Sequence, residues 1–149
     1  FEQHHLAPIT SVYPDASFLI SLFTLDSLTV RAREFLRAKK PDFTVSDFAA
    51  AEFVSAIARR VRVQELSKDD AKQVFSTFDE WVAKFSQRVG IERADVAAAD
   101  GYIRRLDLTL RTPDALHIAM TQRLGIPLVT FDEKMEIAAR QLGTEIERA

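Results

Sequence analysis

Between Arg111 and Lys134 the hydrophobic period changes from helical to extended within a few residues, and few architectures absorb such a change. Pro113 opens a helix in its first turn and Gly125 stops it, the usual asymmetry of helix start and end. A short apolar strand follows from Pro127 to Phe131 and ends on Asp132. One carboxylate, Asp114, therefore stands in the first turn of a helix, and a second, Asp132, stands just past the C-terminal end of a strand. In open α/β sheets that edge is where ligands bind. Two acids carried to one rim by different elements mark a candidate site.

The rest of the chain repeats the alternation. Ile9 to Tyr13 carries β-branched and aromatic residues in alternation and reads as a short strand; Pro14 to Ser17 turns it into a helix that begins near Phe18. Leu28 to Ala38 reads as a helix with Val30, Phe35 and Leu36 inward, and Phe43 to Val45 as a second strand. Ser46 or Asp47 caps the next helix, which runs to about Val61. Ser67 launches an amphipathic helix whose stripe of Val74, Phe78, Trp81, Val82 and Phe85 belongs to the core. Ile91 to Arg93 is a brief strand or turn. Ala94 to Leu108 is a helix with Val96, Ala99, Ile103 and Leu106 inward and Asp95 and Asp100 on its surface. Met135 to Leu142 is a helix stopped by Gly143, and Thr144 to Glu147 is a closing strand. Strands and helices alternating over short connections imply an α/β sandwich around a small, mostly parallel sheet.

A chain of 149 residues suits one domain, expected to span residues 9–149. Residues 1–8 begin on Phe and carry His4 and His5; they read as a cloning remnant or an irregular N-terminus without a chemical role. The formal charge of -2 argues against wholesale electrostatic capture of nucleic acid but leaves room for a local basic rim. Cys is absent, which removes disulfides and thiolate metal sites. No apolar run approaches the roughly 20 residues of a membrane span and no signal peptide is visible, so a cytoplasmic protein without membrane attachment is expected.

Asp15 joins Asp132 as a strand-exit acid, and right-handed crossovers bring parallel strand ends to one edge. The plainer reading of Asp15 or Ser17 is a helix N-cap, worth about 1 kcal/mol. Glu52 shares a helix face with Phe48 and Ala56 amid apolar neighbours, where an ionised carboxylate is costly unless paired or coordinated. An ion pair with Arg59 or another nearby Arg is the plainer alternative. Two carboxylates about 4 Å apart repel by roughly 4 kcal/mol at an effective dielectric near 20. Converging acids thus call for a cation or strongly raised pKa values. All-oxygen ligation favours Mg²⁺ or Mn²⁺, ions that neutralise phosphate oxygens and activate water for in-line attack.

The segments Tyr13-Pro14-Asp15-Ala16-Ser17, the helix bearing Glu52, Arg111-Thr112-Pro113-Asp114-Ala115-Leu116-His117-Ile118-Ala119 and Val129-Thr130-Phe131-Asp132 resemble the PIN-domain nucleases, and among them the VapC-type toxins of bacterial toxin–antitoxin pairs. The resemblance runs from about Ser11 to the end of the chain. It implies a three-layer α/β/α fold and a metal-dependent ribonuclease that cuts RNA phosphodiester bonds, held inactive by a cognate antitoxin and assembled as a homodimer. It also implies that Asp15, Glu52, Asp114 and Asp132 form the acidic quartet holding Mg²⁺ or Mn²⁺, with Ser17 and Thr130 as supporting hydroxyls. Pro14 departs from the family pattern, where an aliphatic residue is commoner before the first acid. His117 reads as a packed or supporting residue, Arg111 as a contact for phosphate or antitoxin or one half of a surface ion pair, and Arg59 and Arg60 as candidates for guiding RNA. The alternative is a non-catalytic PIN-fold domain that binds RNA or a protein partner. A phosphate-accepting regulatory domain is disfavoured because Asp15 lacks an adjacent acid, and no Gly-rich phosphate loop is present.

Overall fold

The computed structural model describes residues 11–149; the expectations for residues 1–8, for His4 and His5 and for the start of the first strand lie outside the described residues. In chain order the elements are β1 (Ser11–Pro14), α1 (Ala16–Phe23), α2 (Thr29–Lys39), β2 (Asp42–Ser46), α3 (Asp47–Arg62), α4 (Lys68–Phe85), β3 (Ser86–Val89), α5 (Arg93–Arg104), α6 (Thr112–Leu124), β4 (Leu128–Val129) and α7 (Glu133–Gln141). The strands form one sheet in the order β3-β2-β1-β4, and every pairing is parallel. Parallel strands place all their C-terminal ends at one rim, so Pro14, Ser46, Val89 and Val129 mark the edge from which side chains reach a common site.

Side chains alternate across a strand, and here the alternation divides the core in two. Val12, Phe43, Val45 and Val129 face one side and pack with α1, α2, α3 and α4. Tyr13 and Leu128 face the other side and pack with α6 and α7, with α5 laid against α6. The result is the α/β sandwich expected from the alternation, in the three-layer α/β/α form that the resemblance implied. Ala115 to Thr121 of α6 are all buried, as befits a helix enclosed on all sides. Among the described residues no helix is long and apolar enough to cross a membrane.

Several local expectations are corrected. β3 occupies Ser86–Val89, ahead of the expected Ile91–Arg93, because an exposed edge strand reading Ser-Gln-Arg-Val shows no apolar alternation. The closing strand shrinks to a single bridge between Leu128 and Ile146. α5 ends at Arg104, four residues early, and Leu106 sits at φ 64 and is 89% exposed instead of inward. Val30, Phe85 and Val96 are likewise exposed. Beside Val96 the inward residue is Asp95, which receives Arg123 Nε at 2.8 Å and the Glu92 amide at 2.8 Å.

Candidate active site

Asp15 leaves β1 and immediately caps α1, so the plainer reading and the site reading both apply. Its Oδ1 accepts from the Phe18 amide at 3.1 Å and from Ser17 Oγ at 2.6 Å, while Oδ2 accepts from Thr130 Oγ1 at 2.5 Å. The Asp15 amide bonds to the Val129 carbonyl at 3.1 Å, extending the β1–β4 pairing past the strand ends. Each hydroxyl also accepts a backbone N–H from the β4 exit: Phe131 to Ser17 Oγ at 2.9 Å and Asp132 to Thr130 Oγ1 at 3.0 Å. With their lone pairs engaged from behind, Ser17 and Thr130 both spend their single proton on Asp15. The carboxyl is 4% exposed, and burial pushes its pKa up; the bonds from Ser17 and Thr130, the nearby His117 and the Phe18 amide oppose that rise.

Asp132 is exposed at the same exit and caps α7, accepting from the Met135 amide at 3.1 Å. Asp114 is half-buried at the third position of α6, where Oδ2 accepts from the Arg111 amide at 3.3 Å. One turn further, His117 is 2% exposed and bonds through Nε2 to Glu52 Oε1 at 2.5 Å. The plainer alternative, an ion pair with Arg59 or another nearby Arg, is not what forms: the side chain of Glu52 is 30% exposed and reaches across to His117 on α6. The other ring nitrogen, Nδ1, lies 2.6 Å from the Tyr13 hydroxyl, which is 2.8 Å from Ser46 Oγ. Burial pushes the Tyr13 hydroxyl well above the ordinary phenol value, Ser46 opposes this, and the charges of Asp15, Glu52 and Asp95 add to it.

The structure thus gathers Asp15, Ser17, Thr130 and the Asp132 backbone into one network, and Glu52 and His117 into a second that shares α6 with Asp114. Among the described residues, no three His, Asp or Glu side chains stand close enough to hold an ion as they are. Arg59 and Arg60 lie in the last turns of α3 and Arg111 precedes α6; none of the three is ion-paired among the described residues. The sequence marks Tyr13 only as a strand residue and Ser46 only as a helix cap, and neither as a neighbour of the site. The available signal was a tyrosine in a fully buried strand, where a hydroxyl requires a partner.

The PIN domain family model matches residues 12–141, nearly the whole described chain. The chain belongs to the PIN-domain family. Ribonuclease VapC46 of Mycobacterium tuberculosis is 27% identical over 141 residues, covering 93% of this chain and 97% of the relative. Among solved structures, this PIN domain resembles Mycobacterium tuberculosis VapC20, described as a Sarcin-Ricin loop cleaving toxin, with a TM-score of 0.73 and 18% identity over 93% of this chain and 99% of the other. It also resembles VapBC2 from Rickettsia felis bound to a DNA fragment from their promoter, with a TM-score of 0.68 and 15% identity over 93% and 98% of the two chains. At such identities the structural likeness establishes the fold.

The donor set of this PIN domain fits a hard divalent cation. Every candidate ligand is a carboxylate oxygen, and none of the four acids is ion-paired with Lys or Arg among the described residues. Glu52 Oε2, Asp114 Oδ1 and Asp132 Oδ2 carry no protein hydrogen bond among the described residues. Buried Asp15, held by three donors and no cationic partner, is the group that most needs a positive charge nearby.

Proposed function

We propose that this PIN domain is a divalent-metal-dependent endoribonuclease that hydrolyses RNA phosphodiester bonds and acts as the toxin of a toxin–antitoxin pair. The observation that carries the reading is the buried Asp15 carboxylate at the sheet's C-terminal rim, fixed by two hydroxyl protons and left without a protein cation. The likeness to a curated ribonuclease over nearly the full length of both chains supports the reaction class. Asp15, Glu52 and Asp114 would hold Mg²⁺ or Mn²⁺, directly or through water, and Asp132 would complete the site. When bound, the ion would neutralise phosphate charge and supply an activated water for attack at phosphorus. The bonds from Ser17 and Thr130 favour the ionised form of Asp15 against its burial and aim the carboxyl. The first turn of α6 places Asp114 where the helix dipole favours its charge. Arg111, at the start of α6 beside Asp114, is a cation available to phosphate at the rim, whereas Arg59 and Arg60 lie in the last turns of α3, the end away from the rim.

RNA incubated with the protein and Mg²⁺ or Mn²⁺ should be cleaved. Asp15→Asn and Asp114→Asn should each lower the rate about a hundredfold or more, since a metal's stabilisation of the transition state is worth several kcal/mol. Undiminished cleavage by both variants sinks the assignment. The partners follow from the same reading: a cognate antitoxin, for which the VapBC complex of like fold is the support, and a second copy of this chain. Calorimetric titration of the free protein with Mn²⁺ separates this function from a non-catalytic binding domain, which has no need of an ion at these acids.

A further inference from the structure

Four side chains from four elements form a chain of hydrogen bonds under the α6 layer: Ser46 at the end of β2, Tyr13 in β1, His117 in α6 and Glu52 in α3. The proton order in it follows from counting donors. An ionised Glu52 only accepts, so His117 Nε2 carries the proton of that 2.5 Å bond. In a neutral ring Nδ1 is then an acceptor, and the Tyr13 hydroxyl spends its one proton there at 2.6 Å. The Tyr13 oxygen lies 2.8 Å from Ser46 Oγ and, with its own proton on Nδ1, has only lone pairs to offer there, so the Ser46 proton must turn to it; Ser46 Oγ in turn accepts from the Ala49 amide at 2.9 Å. Every polar atom is satisfied in this one direction. In the reverse direction Tyr13 donates to Ser46, and the Ser46 proton has no partner. The ring cannot turn to escape this order: it is packed against Phe48 at 5.2 Å and Tyr13 at 5.6 Å between ring centres.

We propose that His117 is a positioning residue, held in its Nε2–H tautomer by Glu52 on one side and Tyr13 on the other, which holds Glu52 by one oxygen and leaves the other for the ion or its water. The proposal rests on the metal-site reading of Glu52. It adds that two neutral residues in the interior, one of them in the middle of a core strand, set the geometry of an acid at the surface. Metal-binding sites commonly depend on partners of this sort, whose loss lowers affinity about 10- to 100-fold.

The first test needs neither metal nor RNA. In the metal-free protein labelled with ¹⁵N, the His117 ring should show a protonated Nε2 and an unprotonated Nδ1, assigned by comparison with His117→Gln. Tyr13→Phe keeps the buried ring but removes the proton donated to Nδ1, and should move the unprotonated Nδ1 signal downfield while Nε2 stays protonated against Glu52. A protonated Nδ1 in the parent protein, or an unmoved Nδ1 signal in Tyr13→Phe, overturns the proposal. The second test titrates Mn²⁺ without RNA. His117→Ala should weaken binding about tenfold or more, and His117→Gln, whose amide nitrogen replaces the Nε2 donor, should recover most of that loss. Equal affinity of His117→Ala and parent overturns the positioning role. Circular dichroism of each variant identifies any loss of folding, and in that event Tyr13→Phe alone decides the proposal through its Nδ1 signal. A parent protein that binds no Mn²⁺ instead overturns the nuclease reading, and the tautomer measurement still reports on the hydrogen-bond chain.

Discussion

Asp95 shows how far a single residue can depart from its apparent context. It reads as one more acid on a helix surface, yet it is buried and receives Arg123 at both oxygens, at 2.8 and 3.0 Å, from 28 residues away. Burial pushes its pKa up, but the Arg123 bonds, the Glu92 amide and the guanidinium charge outweigh that and hold it below the ordinary carboxylate value. A carboxyl depressed in the folded state contributes stability in full above its unfolded pKa and loses it as pH falls through the folded one. Stability measured by urea unfolding should therefore decline on acidification below the ordinary Asp range, and this component should be missing from Asp95→Asn. Arg123→Ala should cost about 1–3 kcal/mol at neutral pH, the penalty of a buried acceptor left unpaired; a loss within error of zero refutes the pairing as a stabilising contact. Residues of this kind were hard to read because their partners are remote. His117 meets Tyr13 across 104 positions, and neither neighbourhood announces the other. By contrast Asp15, Asp114 and Asp132 were legible because strand exits and helix first turns have local signatures.

At the scale of elements, apolar periodicity located the helices well, since α3, α4 and α6 each bury a face that the spacing of Phe, Val and Ala already marks. β3 escaped because it is a polar edge strand whose Arg88 pairs with Asp47 at 2.7 Å, leaving nothing apolar to count. Helix ends carry their own energetics. α6 ends on Gly125 at φ 66, which suits the left-handed conformation, whereas α2 ends on Lys40 at φ 44 and ψ 53, where a Cβ is unfavourable. Lys40→Gly should consequently stabilise the protein by about 0.5–1 kcal/mol, the relief of strain exceeding the added unfolded-state entropy. Thermal unfolding checks it, and a lowered midpoint refutes the account.

For the whole molecule, the central strand β1 binds two cores together. Val12 belongs to the layer with α1–α4 and its neighbour Tyr13 to the layer with α6 and α7, so neither layer melts without disturbing the other. Phe53 stacks on Phe78 at 4.3 Å in the first layer, and Phe53→Ala should cost about 3–5 kcal/mol. The loss should appear equally in Trp81 fluorescence, which reports on the first layer, and in the His117 ring signals, which report on the second. Separate transitions would show two independent units. The double hydroxyl clasp on Asp15 has a consequence at this scale too. Ser17 and Thr130 each tie the acid to a backbone amide of the β4 exit, at Phe131 and Asp132. The first and last of the four candidate acids are therefore clamped to a common frame, and their spacing is a property of strand registration. A shift of β4 along β1 would carry Asp132 and loosen Asp15 in one movement, so whatever grips the edge of this sheet also has its hand on the proposed site.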